Sequence, residues 1–116
     1  MIEVRLPLAP STNNLYITRG KKRIVSPRYR AWREAAGKEL IAQKPMPVAG
    51  IFDLFLYIEW PDKRRRDLDN CGLKACLDLL VSHGLVEDDS LCHAIHIYRG
   101  LKGKECTVRV CERKAA

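Results

Sequence analysis

Hydrophobic and polar residues alternate in the first segment of the chain. The apolar positions are Ile2, Val4, Leu6 and Leu8, and Glu3, Arg5 and Pro7 lie between them. A repeat of two residues is typical of a strand that buries one face, so this segment predicts the first strand. The turn-forming stretch 9–14 and the basic stretch Arg19–Arg23 follow, and together they predict a mobile loop.

Two later segments carry apolar residues at helical spacing. Ser26 begins the first, because serine can cap a free backbone N–H group while the following proline fits the first turn. This helix is predicted over about Pro27–Gln43, and its buried stripe is Tyr29, Trp32, Ala36 and Leu40. The second helix is predicted over about Asn70–Ser82, since Gly84 supplies a stop signal.

The remaining apolar segments read as strands. Ile51–Trp60 has apolar residues on both faces, which predicts a central strand. Leu91–Tyr98 and Lys104–Cys111 predict two more, and the residues from Gly100 to Gly103 have the chemistry of a hairpin connection. We therefore predict an α/β (α+β) fold in the order β-α-β-α-β-β, with a mixed sheet of about four strands and two main helices. The 116 residues leave little room for a second core, so we expect one domain over residues 1–116.

The charge balance suggests a polyanionic partner. Lys and Arg total 21 against 14 Asp and Glu, a formal charge of +7. Such a surface attracts nucleic acid, although an excess of Lys and Arg also serves solubility alone. No apolar run approaches the roughly 20 residues that span a bilayer, so no membrane partner is expected. Five cysteines are an odd number, which favours reduced thiols and a cytoplasmic location.

An acidic pair beside a basic run is the first candidate for chemistry. Asp67 and Asp69 project to the same side of extended backbone, with about 6–7 Å between their Cα atoms, so both can reach one cation. Mg²⁺ prefers such oxygen ligands. The preceding Arg64, Arg65 and Arg66 supply positive charge for phosphates. The alternative is a solvated loop with balanced charge, in which Asp69 or Asn70 caps the helix.

A second acidic cluster, Glu87-Asp88-Asp89, follows the second helix. A helix of about 12 residues carries the chain roughly 18 Å away, so Asp89 completes a three-carboxylate site only if the chain doubles back. An exposed acidic turn is the alternative. A zinc site from the cysteines and histidines is disfavoured, because Cys106 and Cys111 point to opposite faces of a strand. No phosphate-binding glycine loop is found, so no nucleotide cofactor is expected.

Taken together, these motifs resemble the RusA family of Holliday-junction resolvases. The resemblance rests on Asp67-Leu68-Asp69-Asn70, Lys74, Leu77-Asp78-Leu79-Leu80, Gly84 and Glu87-Asp88-Asp89. It extends to Pro7, Pro10, Ser11, Asn13-Asn14 and Ser26, and so covers most of the chain. The resemblance implies a structure-specific endodeoxyribonuclease that resolves four-way DNA junctions by paired symmetric nicks in recombination and repair, as a homodimer, in a bacterial or prophage-encoded setting.

The same resemblance implies roles for individual residues. Asp67, Asp69 and Asp89 would be catalytic ligands of Mg²⁺, for which Mn²⁺ is a substitute, and Lys74 would stabilise charge on the phosphate. One departure is that three residues, Cys71, Gly72 and Leu73, separate Asn70 from Lys74, where the family has two. Either the helix begins later, with Gly72 absorbing the irregularity, or Lys74 is misplaced.

Further residues complete the predicted site. Lys21, Lys22 and Arg23 join Arg64, Arg65 and Arg66 as candidate phosphate contacts, because they sit on the predicted loop or flank the acids. Asn70 and Asp88 are candidates for support. Two other functions remain open: a non-catalytic nucleic-acid-binding module, and a nuclease that acts on flaps or replication forks.

Overall fold

The computed structural model describes residues 1–60, 71–100, 103 and 105–113. The strands are β1 (Ile2–Pro7), β2 (Tyr16–Arg19), β3 (Lys22–Val25), β4 (Phe52–Ile58), β5 (Cys92–Arg99) and β6 (Glu105–Glu112). The helices are α1 (Pro27–Ala42) and α2 (Leu73–Ser82), and short 3₁₀ turns lie at Thr12–Asn14 and Asp89–Leu91.

The main sheet has four strands in the order β1-β6-β4-β5. β6 is antiparallel to both β1 and β4, whereas β4 and β5 are parallel. This confirms the predicted mixed sheet with two helices and the interior position of β4. The expected order of elements holds as well, with one additional hairpin between β1 and α1.

The core lies between the helices and one face of this sheet. Burial alternates strictly along β4, as the period-two pattern requires, and the inward side chains of β1 and β6 join the same cluster. From the helices it receives Tyr29, Trp32, Ala36, Leu40, Ala75, Cys76, Leu79 and Leu80. Both helices therefore pack on the same face, and the aromatic residues of α1 are core residues, as predicted.

The predicted hairpin between the last two strands is wrong. β4 lies between β5 and β6, so these strands do not pair. Instead, the described residues at both ends of the connection lie at the end of β4, where Gly100 N donates to Ile58 O at 2.7 Å and Glu59 N donates to Glu105 O at 2.9 Å. The glycines that suggested a tight turn thus serve a crossover, and β6 fills the position between β4 and β1.

The mobile loop predicted at residues 19–23 is a two-stranded hairpin instead. β2 and β3 are antiparallel, Tyr16 faces Val25 and Arg19 faces Lys22. Gly20 has φ +62°, a value that favours glycine, so it provides the turn. Charge at the tip suggested disorder, but β-branched residues on both sides of the turn favour pairing.

The two helices begin in different ways. Ser26 caps α1 as predicted, because its Oγ accepts a hydrogen bond from Tyr29 N at 3.1 Å. α2 begins at Leu73, later than predicted, with Gly72 as its N-cap. A Cβ at residue 72 would overlap the Cβ of Ala9, so close packing against the end of β1 requires glycine there. Among the described helices, neither combines the length and the apolar character needed to cross a bilayer.

Candidate active site

The predicted acidic pair and its neighbours lie outside the described residues. These are Arg64, Arg65, Arg66, Asp67, Asp69 and Asn70. The nearest described residue after them is Cys71, whose carbonyl accepts a hydrogen bond from Thr12 Oγ1 at 3.3 Å. Cys71, directly before α2, therefore lies beside the segment that follows β1.

Lys74 occupies the first turn of α2 and is exposed. Its Nζ lies 3.4 Å from Asp78 Oδ2, one turn further along the helix. Because α2 begins at Leu73 and not at Asn70, the additional residue before Lys74 precedes the helix, in keeping with the first of the two alternatives above. Gly72 absorbs it at the N-cap. Lys74 thus lies on a regular helix, and the Asp78 carboxylate orients its side chain along that helix.

Asp88 caps the 3₁₀ turn Asp89–Leu91, which precedes β5. Asp88 Oδ1 accepts a hydrogen bond from Ser90 N at 2.9 Å, and this bond lowers the pKa of the Asp88 carboxyl. The pKa of Asp89 is raised, first by its hydrogen bond with Asp88 and then by the negative charges of Asp88 and Asp78. Both side chains are exposed. A cation would relieve this crowding of like charges.

The turn that carries Asp89 lies alongside α2, so the chain doubles back after the helix. Leu85 and Val86 are buried, and Leu85 N donates to Leu80 O at 2.9 Å, which directs this return. The structure therefore brings Asp89 towards Asp78, and through Asp78 towards Lys74. We call these four residues, Lys74, Asp78, Asp88 and Asp89, the α2 cluster.

Sequence reasoning assigned no role to Asp78. It noted the residue only within the segment Leu77-Asp78-Leu79-Leu80. The available signal was the spacing of four from Lys74, which places both side chains on one side of a helix. Asp78 is related to both parts of the predicted site, because its carboxylate contacts Lys74 and its charge contributes to the raised pKa of Asp89.

The basic residues Lys21, Lys22 and Arg23 lie at the tip of the β2–β3 hairpin. Lys21 is in the turn, Lys22 begins β3, and all three side chains are exposed. The hairpin is fixed to α1 by an edge-on contact between Tyr16 and Tyr29, whose ring centroids are 6.2 Å apart. These cations are therefore held on an ordered element rather than on a mobile loop.

In the ranges that the structure describes, no group of three or more His, Cys, Asp or Glu side chains has the arrangement of a metal site. By itself, the α2 cluster supplies the two adjacent exposed carboxylates of Asp88 and Asp89 and a third carboxylate from Asp78. All five cysteines are free thiols. Cys76 and Cys106 are buried with their sulfur atoms 3.7 Å apart.

Comparison with known proteins gives one family and two close matches. A family model described as endodeoxyribonuclease RusA matches residues 7–111. A crossover junction endodeoxyribonuclease rusA of Enterobacteria phage HK97 is 34% identical over 99 residues, which cover 84% of this chain and 81% of the relative. A crossover junction endodeoxyribonuclease RusA of Aquifex aeolicus (strain VF5) is 30% identical over 103 residues, which cover 87% of this chain and 80% of the relative.

Proposed function

This chain belongs to the RusA family of endodeoxyribonucleases, and on that premise we propose that it resolves four-way DNA junctions by hydrolysing phosphodiester bonds. Both relatives described above carry the name crossover junction endodeoxyribonuclease. The observation that carries the proposal is the α2 cluster, in which Lys74 lies 3.4 Å from Asp78 on α2 and the turn that carries Asp89 packs against the same helix.

The site would hold Mg²⁺, or Mn²⁺ in its place, through Asp67, Asp69 and Asp89. Support comes from the donor set: hard divalent cations prefer carboxylate oxygens, and Asp89 is exposed and surrounded by like charges. Bound at a phosphate, such an ion polarises the ester and activates water. Asp88 supports the site by capping the turn, because its hydrogen bond to Ser90 N fixes the backbone that presents Asp89. Asn70 is proposed for a similar supporting role.

Lys74 supplies a positive charge for the phosphate. Its side chain is half exposed, so Nζ can exchange its contact with Asp78 for a contact with a phosphate oxygen. A fixed cation near developing negative charge lowers the barrier for phosphodiester cleavage. Asp78 acts as a positioning residue, since it holds Nζ on the side of α2 that faces Asp89.

DNA would be held by cations on both sides of the catalytic residues. We assign phosphate contacts to Lys21, Lys22 and Arg23 on the hairpin and to Arg64, Arg65 and Arg66 beside the acids. Contacts to phosphates set affinity and position without reading sequence. The net charge of +7 supports this assignment.

We also propose a homodimer that works in the cytoplasm of a bacterium, whether host- or prophage-encoded. Two symmetric nicks in one junction require two active sites related by a two-fold axis, which a homodimer provides. Five free thiols suit a reducing compartment. Residues 1–116 would act as a single domain in each protomer.

The test is a cleavage assay on a four-way junction, with Asp69→Asn beside the unchanged protein. The unchanged protein should make paired symmetric nicks when Mg²⁺ is present, and Asp69→Asn should abolish cutting while junction binding persists. Glu34→Gln, which removes an exposed acid from α1, is the control and should cut normally.

Two results would replace the proposal. Binding without cutting by the unchanged protein would favour a non-catalytic nucleic-acid-binding module. Preferential cutting of flaps or replication forks, when these compete with the four-way junction in one reaction, would favour a different structure-specific nuclease.

A further inference from the structure

A long stretch of the chain contains cations and no acids. No Asp or Glu occurs between Glu3 and Glu34. The exposed cations of the hairpin and of the first turns of α1 are Arg19, Lys21, Lys22, Arg23, Arg28, Arg30 and Arg33. Within the described parts of the chain, none of these seven lies within ion-pair distance of a carboxylate. Their charge is therefore available to an external anion.

The first turns of α1 carry positive charge, which is unfavourable at the N-terminal end of a helix. The positive end of a helix dipole is stabilised by acids and destabilised by cations. Here the first turn has no acid, and Arg28, Arg30 and Arg33 all fall within the first seven helical residues. The chain thus accepts a small loss of helix stability, which an anion bound at this end would offset.

Two arginines are held in place by aromatic rings. The guanidinium carbon of Arg23 lies 4.4 Å from the centroid of the Tyr16 ring, and that of Arg33 lies 4.8 Å from the Tyr29 ring. Since the two rings are 6.2 Å apart, both guanidinium groups lie within about 16 Å of each other. Such contacts orient arginines before a ligand arrives and reduce the entropy lost on binding.

This row of rings and guanidinium groups lies on the side of α1 that faces α2. α1 and α2 are in contact, and the pKa of Tyr29 on α1 is raised, mainly by burial and then by the charge of Asp78 on α2. On the same side, Gly37 lies against the ring of His83 at the end of α2. Arg30 is only about 60° from Arg33 around the helix, so it extends the same surface.

We propose that Arg23, Arg30 and Arg33, with the hairpin tip, form a surface that binds the phosphates of one duplex arm beside the α2 cluster. The inference rests on the proposed function and adds α1 to the DNA contacts. Duplex DNA has one phosphate per about 3.4 Å of axis on each strand, so two guanidinium groups within about 16 Å of each other can contact nearby phosphates of one strand. The guanidinium groups cover the faces of Tyr16 and Tyr29, so these rings orient arginines and do not stack on bases.

The test measures binding of a fluorescent four-way junction in EDTA, where cutting is prevented, across a series of salt concentrations. Arg33→Gln should weaken binding about tenfold near 0.1 M salt and reduce the slope of log K against log salt by about one. The double variant Arg23→Gln/Arg33→Gln should reduce the slope by about two. Lys38→Gln is the matched control, because it removes one exposed charge from the same helix, and it should bind within about twofold of the unchanged protein.

Substitution of Tyr16 tests the orienting role of its ring. Tyr16→Phe keeps the aromatic face and should bind as the unchanged protein does, whereas Tyr16→Leu should weaken binding. If Arg33→Gln and Lys38→Gln bound the junction with equal affinity and equal salt dependence, the proposed DNA-binding surface on α1 would be wrong. The proposed function would still stand in that case, provided that the unchanged protein cuts the junction. Failure of the unchanged protein both to bind and to cut would overturn the two together.

Discussion

Lys74 Nζ lies 3.4 Å from Asp78 Oδ2 on consecutive turns of α2. The pKa of the Asp89 carboxyl is raised, first by its hydrogen bond with Asp88 and by the charge of Asp88, and to a smaller extent by the charge of Asp78. One carboxylate on the helix thereby joins the cation at the start of α2 to the acidic turn that precedes β5. The arrangement gives Asp78 a position between two residues of the proposed catalytic machinery.

Asp78→Asn is expected to lower the single-turnover cleavage rate about tenfold, which corresponds to about 1.4 kcal/mol of transition-state stabilisation. The amide removes the charge that directs Lys74 towards the Asp89 side. Thermal stability should change little, because a half-exposed ion pair contributes about 0–1 kcal/mol. Glu34→Gln is the control in both assays. An unchanged cleavage rate, or a loss that follows the loss of folded protein, would contradict the positioning role.

Asp88 and Asp89 are expected to differ in their sensitivity to amide substitution. Asp88→Asn keeps an oxygen that can accept from Ser90 N, and asparagine caps as well as aspartate, so cleavage should fall only a few-fold. Asp89→Asn removes a proposed ligand and should reduce Mg²⁺-dependent cleavage by at least about a thousandfold, a loss of about 4 kcal/mol. Cleavage of a labelled junction measures both. Equal losses for the two variants would show that cleavage depends on the structure of the turn and not on the Asp89 carboxylate.

Some of the fold could be predicted from the sequence and some could not. The alternation at Ile2–Leu8 and the apolar residues on both faces of β4 follow from the burial of these strands in the sheet. Both strands were therefore predicted correctly. The pairing of β5 was not predictable from the glycines that follow it, because a neighbour in the sheet is chosen by packing across α2 and not by the local turn. The β2–β3 hairpin was not predicted, because the charged residues at its tip suggested a loop. Ile17 and Val25 are β-branched residues, which favour strands.

The candidate site shows the same division. Lys74, Asp88 and Asp89 could be proposed as site residues from the sequence, because they stand in motifs of charged residues at fixed spacing. Their relationship to Asp78 depends on the return of the chain after α2, which the burial of Leu85 and Val86 determines. Asp67 and Asp69 lie outside the described residues, so their place in the site stays a prediction.

Gly72→Ala is expected to destabilise the fold and disturb the site. The new Cβ would overlap Ala9 Cβ and lie 3.2 Å from Ala9 Cα, so the start of α2 must move. The expected cost is about 1–3 kcal/mol, with cleavage reduced because Lys74 moves with the helix. Circular dichroism melting and a junction-cleavage assay measure the two effects.

Gly37→Ala is the matched control for Gly72→Ala. Its Cβ would lie 3.3 Å from Nε2 of His83, the end of an exposed side chain that can rotate away. Alanine inside α1 should stabilise the helix by up to about 1 kcal/mol. If Gly72→Ala were as stable as Gly37→Ala, the close approach to Ala9 would not constrain the start of α2.

Thiol reactivity should separate the cysteines by burial. A hydrogen bond with Cys106, together with burial, raises the pKa of Cys76, and burial also raises the pKa of Cys92. Cys111 is only partly buried, whereas Cys76 is fully buried and its raised pKa leaves less thiolate at pH 8, so labelling by a disulfide reagent should be at least about tenfold slower at Cys76 than at Cys111. Mass spectrometry identifies the labelled residue at each time.

In denaturant, all five cysteines should react at similar rates, because all are free thiols. Labelling of Cys76 in the folded protein as fast as that of Cys111 would contradict the buried contact with Cys106. Fewer than five reactive thiols in denaturant would indicate a disulfide.

The position of the bound metal ion decides whether Asp89 shares a cation with Asp67 and Asp69. Crystals of the protein grown with a junction and Mn²⁺ allow the ion to be placed by its anomalous scattering. We predict an ion with carboxylate oxygens of Asp67, Asp69 and Asp89 at about 2.1 Å, whether these come from one protomer or from two. An ion bound at the scissile phosphate without any oxygen of Asp89 would contradict the account.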